Sequence, residues 1–188
     1  MIKIGIIALQ GAITEHILAV KNALRDLNRK GEVIPIKTKL PVIDGLIIPG
    51  GESTTISHLL QKSGLFWDIQ ERASSLPIMG TCAGCILLAQ QATGIKTLGV
   101  MHMEVERNAF GRQKDSFQYP LKIRGFKETF QGIFIRAPVI RRVWNNCQPL
   151  AWIDDKIVMA KEKHFLAAVF HPELAKDLRI HQYFLEMI

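Results

Sequence analysis

The chain has 188 residues, 48% of them hydrophobic and 22% charged, proportions that exclude intrinsic disorder and can bury a core without disulfide or metal staples. A formal charge of +7 raises nucleic-acid binding, but the lysines and arginines are scattered in ones and twos with no nucleic-acid motif around them. A solvated basic surface is the simpler reading, with an acidic protein partner as its other use.

Residues 2–9 form a β-branched apolar run ending in Gln10-Gly11, the pattern of a buried strand and a turn. This start lacks the basic leader and cleavage site of a secretion signal, and no apolar run approaches the roughly 20 residues of a membrane span. A cytoplasmic location without membrane association is expected. The three cysteines, Cys82, Cys85 and Cys147, then read as thiols.

Thr14 resembles a helix N-cap, residues 15–27 carry apolar side chains at helical spacing, and Gly31 stops the helix. Short strands are predicted at 33–36 and 46–48, with helical patterns at 57–61, 67–73 and 82–91. Strands alternating with helices imply a parallel sheet covered on both faces. Further on, strands are predicted at 100–105, 121–123, 132–135, 157–160 and 166–170, with few helices among them, and a closing helix at 175–187. This half reads as an antiparallel or mixed extension of the same sheet. The expected architecture is a three-layer α/β/α sandwich with a mainly parallel central sheet, in one domain spanning residues 1–188.

Chemistry concentrates in three places. The segment Pro77-Ile78-Met79-Gly80-Thr81-Cys82-Ala83-Gly84-Cys85 is a short strand, then Gly-x-Cys-x-Gly, then a helix, the nucleophile-elbow pattern with cysteine for serine. Gly80 and Gly84 leave room for an abrupt strand-to-helix turn, and the helix N-terminus favours an anionic sulfur at Cys82. Two rivals stand beside this reading: a small core cysteine under a tight turn, and a redox Cys-x-x-Cys formed by Cys82 and Cys85.

The second place is Phe170-His171-Pro172-Glu173. Pro172 biases His171 to an extended conformation, in which residues two apart point to the same side. Glu173 can then orient the imidazole of His171, leaving its other nitrogen to take a thiol proton. The third is Ile48-Pro49-Gly50-Gly51-Glu52-Ser53-Thr54-Thr55, a strand end opening into a helix. Its backbone N–H groups suit an oxyanion; the Gly-Lys-Ser/Thr of a nucleotide-binding loop is missing, and a plain turn before a capped helix fits equally.

These pieces, in the order Gly50-Gly51, Cys82, His171 and Glu173, resemble the class-I (triad) glutamine amidotransferases. Within them, Leu9-Gln10-Gly11-Ala12, Pro49-Gly50-Gly51-Glu52-Ser53-Thr54-Thr55, Val105-Glu106-Arg107-Asn108-Ala109-Phe110-Gly111-Arg112-Gln113 and Phe134-Ile135-Arg136-Ala137-Pro138 are similar to the branch of glutaminase subunits of pyridoxal 5′-phosphate synthase. The resemblance spans nearly the whole chain. It implies Cys82, His171 and Glu173 as catalytic residues and a glutamyl thioester on Cys82. It further implies glutamine binding by Gly50, Gly51, Glu52, Arg107, Ile135 and Arg136, with Gly51 and Ala83 as oxyanion donors. L-Glutamine is the implied substrate, and ammonia would pass to a synthase subunit in a hetero-oligomeric complex. No metal or cofactor is implied, because pyridoxal phosphate is the product of that complex. Arg107 and Arg136 carry guanidinium forks suited to a substrate carboxylate. Cys85 departs from the aliphatic residue usual after Cys-Ala-Gly.

Overall fold

A computed structural model describes residues 1–107, 109 and 116–188. Of the block at 105–113, Asn108 and residues 110–113 therefore lie outside the described residues. The chain opens with β1 (Ile2–Ile7), α1 (Ile13–Asp26), β2 (Gly31–Ile36) and β3 (Gly45–Ile48). Two helices, α2 (Ser53–Ser63) and α3 (Leu65–Arg72), lead to β4 (Ile78–Thr81), α4 (Ala83–Leu88) and β5 (Ala89–Ala92). Strands dominate from there: β6 (Met101–Glu106), β7 (Ser116–Leu121), β8 (Phe130–Ile135), β9 (Val139–Val143), β10 (Gln148–Ile153), β11 (Lys156–Glu162) and β12 (Phe165–Ala168). A 3₁₀ turn at Pro172–Leu174 and α5 (Arg179–Leu185) close the chain.

Five parallel strands in the order β2-β1-β3-β4-β12 make the centre of the large sheet. All four residues of β3, β4 and β12 are buried, which is why these strands do not alternate polar and apolar residues. The sheet continues through β11, β9, β6 and β5, with antiparallel pairing from β12 to β6 and β10 set against β11. The chain moves outward from β1 to β2 and in the opposite sense from β3 to β4. Right-handed crossovers then put α1 on one face and α2 with α3 on the other. Accordingly α1 packs against α5, and α2 packs against α3 and α4. The three-layer arrangement with a mainly parallel centre thus follows the sequence-based expectation.

The order reverses between β1 and β3, and a reversal leaves a crevice beyond the carboxyl ends of the strands. The three segments in which chemistry concentrates begin there, Gly50 after β3, Cys82 after β4 and His171 after β12, and so does Gln10 after β1.

Several local expectations are corrected. Thr14 lies inside α1, whose N-cap is Ala12 without a side-chain cap. The helix ends before Asn28, which takes φ +52°, and Gly31 opens β2 in place of stopping the helix. The helical pattern at 82–91 breaks at Leu88, because Ala89 turns extended and β5 pairs with β6 at the sheet edge. The strand expected at 121–123 lies earlier, as β7, and pairs with β8 in a separate two-stranded sheet, not in the extension of the main one. Strands β9 and β10 were not predicted: each mixes polar and apolar residues over five or six positions. The closing helix is shorter than 175–187, because Pro172 starts a 3₁₀ turn and the Asp177 carboxylate accepts the Arg179 backbone N–H at 3.0 Å.

Gly84 shows how tightly the elbow is built. A Cβ there would fall inside the van der Waals shell of the Ile48 carbonyl oxygen and meet its carbon at 2.8 Å. Backbone cannot retreat as a side chain can, so Gly84→Ala is expected to cost about 3 kcal/mol. Chemical denaturation against the wild-type chain measures it.

Candidate active site

The elbow is strained where the sequence requires it. Cys82 has φ +49° and ψ −104°, a conformation a side-chain-bearing residue holds only when its surroundings enforce it, at about 1–3 kcal/mol. Its N–H donates to the Ala168 carbonyl at 2.8 Å, tying the turn to β12. Gly80 and Gly84 face each other across the bend, and a Cβ on Gly80 would lie 2.5 Å from the Gly84 carbonyl oxygen. The sulfur is thereby lifted above the sheet, with the Ile135 carbonyl oxygen 4.0 Å away.

His171 arrives from the next strand and is pinned by its own N–H, which donates to the Ile133 carbonyl at 2.8 Å. Its imidazole Nδ1–H donates to Glu173 Oε1 at 2.6 Å, and the Cys82 sulfur is near enough to the ring to raise its pKa. With Nδ1 committed to the carboxylate, Nε2 is the nitrogen left for sulfur. The pairing differs from the expected one in its backbone. His171 has φ −105° and ψ 84°, short of the extended conformation expected, and Pro172–Leu174 is a 3₁₀ turn, so Glu173 reaches back to the imidazole instead of standing alongside it on a strand.

Burial by itself depresses the His171 pKa, but the hydrogen bonds and negative charge of Cys82 and Glu173 outweigh it and push the value up to about 10. The imidazole is therefore cationic at neutral pH. Cys85, one turn along α4, is fully buried, and burial pushes its thiol well above the ordinary 9.0. A thiol held protonated makes a poor exchange partner, which weakens the redox reading of Cys82 and Cys85.

A cleft of about 440 Å³ opens over the sulfur. Of the residues singled out in the sequence, Gly51, Glu52, Cys82, Ala83, Arg107, Ile135, Arg136 and His171 line it. Glu173 and Gly50 stand behind that lining. A Cβ on Gly50 would lie 2.6 Å from His171 Cε1 and 3.1 Å from Cys82 Cβ, so this glycine lets the two side chains meet. Ser53 and Pro138, which stood in motifs of the resemblance without a role, also line the cleft, as does Ile86, an apolar residue that carries no chemical signal in a sequence. Arg136 takes φ +43°, a second strained residue at the rim.

Glu52 is bound twice over. It caps α2, its carboxylate accepting the N–H and hydroxyl groups of Thr54 and Thr55, and Arg107 Nη2 lies 3.4 Å from its Oε1. The Thr55 hydroxyl and the helix-start amides hold its carboxyl down at about 2. Its own N–H donates to Gln10 Oε1 at 2.8 Å. Gln10 lay in a motif of the resemblance without a role; here its side chain fixes the Gly51-Glu52 loop.

A parallel-sheet switch point, an elbow cysteine and a carboxylate-braced histidine together define a protein of the nucleophile-elbow α/β class. Comparison with known proteins is narrower. Residues 6–188 match the SNO glutamine amidotransferase family, and the chain belongs to that family. It is similar to the pyridoxal 5′-phosphate synthase subunit PdxT of Pyrococcus furiosus, 47% identical over the full length of both chains. With the subunit of the same name from Brevibacillus brevis it shares 49% identity over 99% of this chain and 97% of the other. A crystal structure of a glutamine amidotransferase, 42% identical, superposes with a TM-score of 0.87 over 98% of this chain and 97% of that one. A glutamine amidotransferase of Thermotoga maritima at 13% identity and TM-score 0.64 shares the fold, covering 98% and 90%.

The raised His171 pKa has a sign in stability. The protonated imidazole is favoured in the folded chain, so its contribution is complete below pH 6.5 and is lost as pH rises to about 10. Glu173→Gln removes the charge that favours it. The excess in urea midpoint of wild type over Glu173→Gln is expected to narrow steadily across that window.

Proposed function

We propose that the chain hydrolyses L-glutamine to L-glutamate and ammonia through a thioester on Cys82, and delivers the ammonia to a partner synthase subunit that makes pyridoxal 5′-phosphate. The observation that carries this reading is the braced imidazole: His171 donates to Glu173 and lines the same open cleft as the Cys82 sulfur, whose charge it feels. The relatives named pyridoxal 5′-phosphate synthase subunit supply the pathway and the partner.

In this mechanism the Cys82 sulfur attacks the side-chain amide carbon of glutamine. The amide oxygen gains the negative charge, and the backbone N–H groups of Gly51 and Ala83 are the proposed donors that stabilise it. His171, cationic at the outset, gives its proton to the amide nitrogen as the carbon–nitrogen bond breaks and ammonia leaves. The neutral imidazole then takes a proton from water, whose oxygen bonds the thioester carbon and expels the sulfur as glutamate forms. Glu173 keeps the Nδ1–H tautomer through both halves. Arg107 and Arg136 are assigned to the substrate's carboxylate, with Gly50, Glu52 and Ile135 shaping the rest of its site.

The whole chain, 1–188, acts as one glutaminase domain in this reading, supported by one apolar cluster running from β1 to α5. It works in the cytoplasm; among the described residues no helix is long and apolar enough to cross a membrane.

Mixing the chain with its cognate synthase subunit and following glutamate release tests the proposal. Cys82→Ala is expected to abolish turnover. His171→Ala should lose several orders of magnitude, because residues that act as a unit fail together. Undiminished release by Cys82→Ala would refute the assigned nucleophile.

A further inference from the structure

Behind Glu173 lies a buried polar cluster that the proposed chemistry does not use. His16 of α1, Thr81 at the end of β4 and His181 of α5 are all wholly inaccessible to solvent. His16 Nε2 lies 3.0 Å from Thr81 Oγ1 and 3.3 Å from Glu173 Oε2. His16 Nδ1 lies 3.1 Å from His181 Nε2. Histidines are costly to bury, and two in contact inside one core need a reason.

Proton placement supplies one. Burial, with the charges of His181 and His171, pushes the His16 pKa well below its ordinary 6.5, and burial takes His181 down to about 4. Both rings are therefore neutral, each with one N–H and one bare nitrogen. Glu173 Oε2 has no aligned hydrogen bond among the described residues, and the His16 nitrogen at 3.3 Å faces it. Were that nitrogen bare, a lone pair would confront a buried carboxylate oxygen.

The opposite tautomer resolves every contact. With the proton on Nε2, His16 offers it between Glu173 Oε2 and Thr81 Oγ1, and the sharing explains the long, unaligned approach to Glu173. Its bare Nδ1 then accepts the N–H of His181 Nε2. That leaves His181 Nδ1 as the bare nitrogen, and it is the ring atom with no partner; an unmet acceptor costs less than an unmet donor. Donation thus runs in one direction, from His181 to His16 to Glu173, while the other carboxylate oxygen accepts from His171.

We infer that His16 is a positioning residue for the reaction, its Nε2–H fixing Glu173 as an oriented carboxylate beneath His171 and its tautomer set in turn by His181. This rests on the glutaminase reading above, because what it positions is the brace of that triad. His16 meets neither sulfur nor cleft, so its effect belongs in the chemical step and not in substrate binding.

The test uses the full chain with its synthase subunit. His16→Leu removes the donor; His16→Gln restores an N–H near the Nε2 position. Loss of a hydrogen bond to a charged group corresponds to about a tenfold to hundredfold effect. His16→Leu is expected to lower kcat by about that factor with KM unchanged, and to shift the pH dependence controlled by His171 to lower pH. His16→Gln should recover most of both. A His16→Leu enzyme with wild-type kcat and pH profile overturns the inference, as does one in which KM alone changes. Nitrogen-15 NMR of the wild-type histidines gives a second arm that needs no variant to fold: His16 and His181 must both be neutral with the proton on Nε2, and a proton on His16 Nδ1 overturns the assignment. Absence of glutamine turnover by the wild-type complex would instead sink the glutaminase reading, leaving the NMR arm to judge the tautomers by themselves.

Discussion

The geometry of this molecule hangs on one turn, the bend that takes the chain from β4 into α4 within a single residue. At that residue the backbone enters the left-handed region, and three things hold it there. The Cys82 N–H is tied to the Ala168 carbonyl, Gly84 lies against the Ile48 carbonyl, and Gly80 lies against Gly84. Each of those partners sits on a different strand of the parallel sheet or on the helix that follows it. The register from β3 through β4 to β12 thus becomes the register of the site, because Ile48 pairs with Gly80, and Ala168 with Thr81. A slip in any of these pairings would move the sulfur away from the imidazole.

Around that turn the site solves a problem of burial. An imidazole and a carboxylate largely out of water are costly unless each finds a partner of opposite character. His171 finds two, sulfur and Glu173, and the gain outweighs the desolvation that alone would strip its proton. Glu173 is answered from His171 on one side and from the His16 region on the other. The sheet supplies rigid positions, and α1, backed by α5, packs against the turn that carries the carboxylate. Electrostatics here follows from topology: the residues are far apart in sequence and meet because parallel strands end at a common level.

Much of this was legible in the sequence, for identifiable reasons. Buried parallel strands announce themselves as apolar runs, so the centre of the sheet could be read. The elbow carries two glycines that only a tight bend needs, and His171-Pro172-Glu173 is compact enough to be read as a unit. Illegible features depended on tertiary pairing. Strand β5 had looked helical, and β9 and β10 had no clear apolar period to give them away. The 3₁₀ turn under His171 could not be told from an extended segment, although both bring Glu173 to the ring. His16 carries no signal of its own in the sequence, and only the packing of α1 against α5 and the 3₁₀ turn gives it a partner. Likewise the double role of Glu52, capping α2 while facing Arg107, needs the loop to be folded before it can be seen.

The most direct measurement of the central claim is chemical labelling of the sulfur that the turn presents. The chain, with its synthase subunit, is treated with a glutamine-mimicking electrophile and the adduct located by mass spectrometry. One label is expected, on Cys82 alone, and excess glutamine should prevent it. A label on Cys85 or Cys147, or one on Cys82 that glutamine does not protect, would contradict the account.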